Sequence, residues 1–275
     1  MIAGDRRGPS GGPGQWLRGL AGPALIAPIV LLVVGLALWQ AGVFHFLFGL
    51  KTFTVPYPSA IVDGWAANRD LILDAVAVTL PAAVIGYAVG MGLGLTIASL
   101  LVRYTPTLID RLMPFLSATN SLPIVALAPL VALFTGPGTL LKVIVVAIMT
   151  TPIMVVYAVR GLREVDPTAV ELMASLEATP GQVYRMVRVR TALPFIFTAL
   201  KSSIVLAMIG TIVAESVRGF EGLGFVIVQS MGSFKAAQAW LALISIAVIG
   251  ISWYLVMEAL ERVVVPWEAA RQRRE

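Results

Sequence analysis

The residues able to do chemistry in this sequence are few, and what is missing narrows the options. There is no cysteine and a single histidine, His45. Thiol catalysis, disulfides, cysteine-ligated metals, histidine metal clusters and a histidine-based triad are therefore excluded. No Gly-x-x-x-x-Gly-Lys-Ser/Thr loop occurs, so the chain does not itself cradle nucleotide phosphates in that way. What remains suits gripping rather than bond-making. Charged side chains gather in ELMASLEATPGQVYRMVRVRTALP, residues 171–194, which carries Glu171, Glu177, Arg185, Arg188 and Arg190. Neutral polar groups stand inside apolar surroundings at Thr119, Asn120 and Ser121, and again at Ser202, Ser203 and Thr211. Polar groups at membrane depth face protein or a cavity, so both sets are candidates to line a pathway. The alternatives are local hydrogen bonds that repair proline breaks for the first set and helix packing for the second. Glu215 and Arg218, three residues apart, suggest an exposed ion pair or a gating group.

The elements that must position these residues are helices in a bilayer. Fifty-eight per cent of residues are hydrophobic, 13% are charged, and mean hydropathy is +0.89. Soluble domains carry about 25% charged residues. The net charge of +5 and pI near 9.8 read as topology signals and headgroup contacts rather than as a nucleic-acid surface. Residues 1–20 are rich in glycine and proline and predict a disordered tail. Six apolar segments follow, at 21–41, 71–102, 112–134, 140–159, 192–213 and 237–260. The first is too long for a signal-peptide core and predicts a retained span. The third carries Pro114, Pro123 and Pro129, which cost backbone hydrogen bonds and predict an interior helix. No charge is expected at a span centre, which speaks against a proton or sodium relay.

Basic residues set the orientation. Arg6, Arg7, Arg18, Arg103, Arg111, Arg160, Arg163, Arg185, Arg188, Arg190, Arg262, Arg271, Arg273 and Arg274 fall on one side, against Lys51, Arg69, Arg218 and Lys235 on the other. The positive-inside rule then places both termini and residues 171–194 in the cytoplasm. Locally, Asp166-Pro167 is an N-cap followed by proline at the first helical position. Ala169, Leu172, Met173 and Leu176 form one apolar stripe on a helix about 13 Å long at 1.5 Å per residue. Thr179-Pro180-Gly181-Gln182 has capping-box spacing. It starts a second helix with Val183, Met186 and Val187 on its apolar face, and Pro194 marks entry into the fifth span. Such a hairpin either packs beneath the bundle or serves as a handle for a soluble partner. Gly86, Gly90 and Gly94 repeat every four residues, the spacing at which helices approach closely. His45, with Phe44, Phe46 and Phe48, is expected at the outer interface together with Trp39 and Trp65.

The 171–194 segment resembles the EAA loop of ABC-importer permeases. Glu171 stands at the glutamate position, and Leu193-Pro194 supply the closing Leu-Pro. Leu172 and Met173 replace the two alanines, Arg190 stands where many relatives have a proline, and Glu177 occupies the glycine site. A left-handed glutamate there costs roughly 1 kcal/mol. VPYPSAIV (55–62), SLPIVALAPLVALFTG (121–136), RVRTALPFIFTALKSS (188–203) and LERVVVPW (260–267) are similar to segments of permeases for nitrate, sulfonates, taurine and vitamin precursors. The likeness covers about residues 50–268. It implies an all-α membrane protein of about six transmembrane helices, a type I ABC-importer permease fold with a cytoplasmic coupling-helix loop. The permease domain would span 21–267, with its coupling loop at 160–191 and a cytoplasmic tail at 268–275.

The resemblance also implies partners. Ala169, Val170, Glu171, Leu172, Met173, Ser175, Leu176 and Glu177 would contact a separate ATP-binding subunit, which would hold ATP and magnesium; this chain would hold no cofactor. A second permease, identical or homologous, would complete the pathway in the lipid membrane, and an extracytoplasmic solute-binding protein would deliver the solute. The expected place is the bacterial inner membrane. The expected solute is a heterocycle like riboflavin or a thiamine precursor, or a sulfonate- or nitrate-type anion. Lack of the usual glycine resembles the riboflavin and pyrimidine-precursor subgroup, in which paired, different permeases are common. An ion-coupled secondary transporter and a membrane scaffold are the rival classes.

Overall fold

The computed structural model describes residues 23–118 and 124–267, and every regular element among them is helical. It divides into two units, residues 1–63 and 64–275.

In the first unit, α1 (Pro23–Gln40) is apolar up to its closing Gln40, and α2 (Val43–Phe48) follows almost at once. Glycines bracket α2 because both its ends need left-handed backbone, Gly42 at φ 78° and Gly49 at φ 62°. His45 Nε2 hydrogen-bonds the Val55 carbonyl at 2.7 Å, and its ring stacks on Tyr57 at 4.5 Å. Phe46 and Phe48 are exposed. Gln40 grips Ser59 twice, accepting from its backbone N–H at 3.0 Å and donating to its hydroxyl at 3.1 Å.

α3 (Pro58–Tyr104) starts in the first unit and runs on for 47 residues. Beyond it lie α4 (Pro106–Ala118), α5 (Ile124–Thr135), α6 (Thr139–Arg163), α7 (Pro167–Ser175), α8 (Pro180–Val183), α9 (Val189–Arg218), α10 (Leu223–Gly232) and α11 (Ala236–Val264). Small residues let the long helices close up. A Cβ on Gly86 would stand 2.7 Å from Val146 Cβ, and one on Gly94 would stand 2.6 Å from Met154 Cβ, so the four-residue repeat is the α3–α6 seam. Gly161 sits likewise beneath Phe195, and Gly210 against Met149, which joins α6 to α9. Tyr87, Met91, Ile109, Met154, Ala158 and Ile204 form the core that results. Tyr87 donates its hydroxyl to the Leu200 carbonyl at 2.9 Å and meets Trp253 edge-on at 4.9 Å, so its one polar atom is satisfied where water is absent.

Among the described residues, four stretches are long and apolar enough to cross a membrane: Pro58–Tyr104, Thr139–Arg163, Pro180–Val217 and Ala236–Val264. Shorter apolar helices occur at Ala27–Gln40, Ala126–Thr135 and Leu223–Gly232. The expected all-α membrane fold is present, with three differences. The span expected at 71–102 begins as helix already at Pro58. Of the expected third span, residues 112–118 lie in α4 and 124–134 in α5, with Pro114 and Pro129 inside those helices, and residues 119–123 lie outside the described residues. α10 was not foreseen, because ten residues are too few to cross.

Candidate functional site

The charged loop is built from local signals. Asp166 caps α7, its carboxylate accepting from the Thr168 N–H at 2.9 Å, with Pro167 at the first position. At the other end Ala178 N–H donates to the Met173 carbonyl and Glu177 N–H to that of Ala174, each at 3.0 Å. This pair of bonds is a Schellman closure, and it requires a left-handed residue after the C-cap. Glu177 supplies it at φ 56°. The glutamate at the glycine site therefore keeps the turn. Thr179 and Gln182 complete the capping box: the Thr179 N–H donates to Gln182 Oε1 at 2.7 Å, and the Gln182 N–H returns to Thr179 Oγ1 at 3.4 Å.

No residue of α7 is buried. Ala169, Val170 and Met173 are half-covered, while Glu171, Ser175 and Glu177 are exposed. Leu172 and Leu176, one turn apart, are 61% and 68% exposed. The predicted stripe thus splits, because its two leucines point away from the chain's own helices. An amphipathic hairpin packed against its own bundle would hide them. α8 does not stop at a second turn either. It passes through a π-helical turn (Tyr184–Arg188) directly into α9, and Pro194 is absorbed inside that helix rather than marking its start. Arg188 Nη1 holds this passage to α6 by donating to the Leu162 carbonyl at 3.1 Å. Beside it opens a cleft of about 1030 Å³ lined by Glu164, Asp166, Arg190, Thr191, Pro194, Phe195, Thr198 and Trp267.

Thr119, Asn120 and Ser121 lie outside the described residues. Ser202 is exposed; Ser203 is buried, and its hydroxyl has no hydrogen-bond partner among the described residues. Thr211 is buried and donates to the Ala207 carbonyl at 2.9 Å, one turn back.

Besides Arg190 and Arg218 toward its ends, α9 carries Lys201 and Glu215, whereas no charge is expected at a span centre. Lys201 reaches across to α11, where its Nζ meets Glu258 Oε2 at 2.8 Å and also bonds Glu261. Glu215 is fully buried and is no surface partner for Arg218; Lys142 Nζ, 2% exposed, lies 3.2 Å from its Oε1. Thr79 Oγ1 donates to the same carboxylate at 2.9 and 3.0 Å, and the Gly224 N–H donates to it at 2.9 Å. Sequence reading missed this because α9 continues to Arg218, so Glu215 lies within the helix and not past its end. No group of three or more metal-ligating side chains occurs among the described residues.

Comparisons with known proteins agree with this architecture. The profile of the family described as binding-protein-dependent transport system inner membrane component matches residues 90–268. The riboflavin transport system permease protein RibX of Chloroflexus aurantiacus is 34% identical over 251 residues, 90% of this chain and 92% of that protein. The formylaminopyrimidine transport permease protein ThiX of Halalkalibacterium halodurans is 28% identical over 218 residues, 79% of this chain and 87% of that protein. Among solved structures, an inward-facing MetNI methionine ABC transporter superposes with a TM-score of 0.61 at 18% identity, covering 72% of this chain and 98% of that one.

Proposed function

The chain belongs to the inner-membrane components of binding-protein-dependent transport systems, the multi-pass permeases of ABC importers, and from that premise we propose that α7 is the handle by which a separate ATP-binding subunit drives it. The observation that carries the reading is the outward face of α7, where Leu172 and Leu176 are exposed next to Glu171. Two exposed leucines one turn apart are the i, i+4 anchors with which a helix fills an apolar groove. The carboxylate beside them adds a charge-selective contact. Because α8 runs unbroken into α9, a push on the loop moves the fifth span directly. ATP and magnesium sit in the partner subunit, a second permease copy or homologue completes the pathway, and a binding protein delivers the solute from outside. Both termini and the loop face the cytoplasm. The solute is a flavin or pyrimidine-type vitamin precursor, a reading supported by the names of the two relatives, RibX and ThiX.

The test is co-purification of the tagged chain from its native membrane, with bound subunits identified by mass spectrometry. An ATP-binding subunit lost on Glu171→Lys is expected, and a second, different permease in the same eluate identifies a heterodimer. The recovered complex, reconstituted in vesicles, is then assayed for uptake of riboflavin and formylaminopyrimidine, with taurine and nitrate as competitors. Competition by taurine or nitrate overturns the substrate class. A chain that transports with no ATP-binding subunit overturns the coupling role.

A further inference from the structure

At the end of α9 remote from the loop, Glu215 gathers groups from three other elements. Thr79 of α3 and the Gly224 N–H of α10 donate to its carboxylate, and Lys142 of α6 is ion-paired with it. Thr79 has a second task, since its oxygen accepts the Leu223 N–H at 2.9 Å. The first two N–H groups of α10, which have no partner within their own helix, are thus satisfied by side chains of α3 and α9. The backbone is shaped to allow this. Gly222 has φ 98°, and a Cβ there would fall 2.1 Å from Glu215 Oε1. α10 is also strapped at its far end: Ser230 donates to Gln238 Oε1 at 3.3 Å, and the Gln238 amide donates to Asn68 Oδ1 of α3 at 2.6 Å.

Stability alone does not call for ions here. A buried ion pair often gives no more stability than apolar side chains of the same volume, whereas losing one partner leaves an uncompensated charge in a dry interior. What the pair does provide is a single permitted seating for four elements. The opposite face of α10 has no such restraint, since it is apolar and exposed at Val228 and Met231.

We propose that Glu215 is a positioning residue of the transport cycle. With Lys142 and Thr79 it clasps α10 to α3, α6 and α9, so that the loop-remote ends of these helices turn as one gate when the loop is driven. The inference rests on the permease reading above. The clasp makes the gate answer to the motor: without it α10 shifts independently, and a binding protein seated on that face no longer signals through α9 to the ATP-binding subunit.

The experiment uses the complete transporter, reconstituted with its ATP-binding subunit, and measures ATP hydrolysis with and without the binding protein. Glu215→Gln and Lys142→Met are each expected to cut binding-protein stimulation about fivefold or more while basal hydrolysis persists, and the double variant is expected to return to within about twofold of the parent. A role confined to stability would lower the yield of assembled complex and leave the stimulation ratio of the surviving complex unchanged. Equal stimulation in parent and single variants overturns the proposal, as does a double variant no better than the worse single. Should the charge variants fail to assemble, Thr79→Val keeps the ion pair and removes both the tie to Leu223 and the hydroxyl that donates to Glu215; unchanged stimulation in that variant overturns the proposal equally. A parent chain that never binds an ATP-binding subunit refutes the permease reading instead, so the two failures are distinguishable.

Discussion

Gly90 and Thr150 are in contact so close that a Cβ on Gly90 would fall 2.0 Å from Thr150 Oγ1. The threonine cannot swing aside freely, because it is buried and its hydroxyl donates to the Val146 carbonyl at 2.9 Å. Backbone is close as well, with the Ala147 carbonyl oxygen 3.0 Å from the same point. Gly90→Ala therefore has to push α3 away from α6, at a cost of about 1–3 kcal/mol. Gly92, two residues on, has nothing within 4 Å of its Cβ position. Thermal melting of the purified chain in detergent checks the contrast. Gly90→Ala is expected to melt several degrees lower and Gly92→Ala at or above the parent temperature; equal melting of both would show that the seam yields.

Glu177 holds a left-handed turn that glycine adopts without steric cost. Replacing it by glycine relieves roughly 1 kcal/mol of local strain, partly offset by the entropy of a freer unfolded chain. A β-branched residue is strained further at φ 56°. Hydrogen exchange at the Glu177 and Ala178 amides, which close the turn on Ala174 and Met173, reads this directly. Protection is expected to be kept or to rise in Glu177→Gly and to fall in Glu177→Val. Falling protection in Glu177→Gly would mean that the glutamate side chain holds the turn by contacts of its own.

These two sites also mark what the sequence made legible. The four-residue repeat of Gly86, Gly90 and Gly94 shows because helix packing is periodic. The caps at Asp166 and Thr179 show because their partners lie two and three residues away. Glu215 did not show, since its partners on α3 and α6 are remote in sequence and only Arg218 was near enough to suggest itself. The join of α8 to α9 was hidden for a different reason. Pro194 is a stop signal in an isolated helix, but here it lies inside α9, whose freed backbone groups the neighbouring helices help to satisfy.

On the outward face of α7, Leu172→Asp and Leu176→Asp are expected to separate binding from folding. Both side chains are exposed, so either change shifts the stability of the chain by no more than about 0.5 kcal/mol. Removing an apolar anchor from a helix seated in a groove costs binding about 2 kcal/mol or more, at least tenfold in affinity. Pull-down of the ATP-binding subunit from native membrane, beside melting of the isolated chain, measures the two effects. Retention of the subunit by both variants at parental level would place the docking face elsewhere on the loop.

Lys201 is a further charge within α9, only 17% exposed, and two carboxylates of α11 converge on it. Glu258 is shared with Arg262 at 3.3 Å, but that arginine is itself largely exposed. Lys201→Met would leave Glu258 and Glu261, one turn apart, facing each other with little to neutralise them. Partial exposure limits the penalty, and a loss of about 1–3 kcal/mol is expected. The triple variant K201M/E258Q/E261Q removes the repulsion together with the attraction and should regain most of that loss. Melting of the three forms in one detergent decides the matter. If Lys201→Met melts with the parent, the ion cluster does not tie α9 to α11, and their contact rests on the apolar core that Ile204 and Leu200 share with Trp253 and Met257. If it melts lower and the triple variant recovers, the fifth and sixth spans are joined by charge at the level where a driven α9 has to turn against α11.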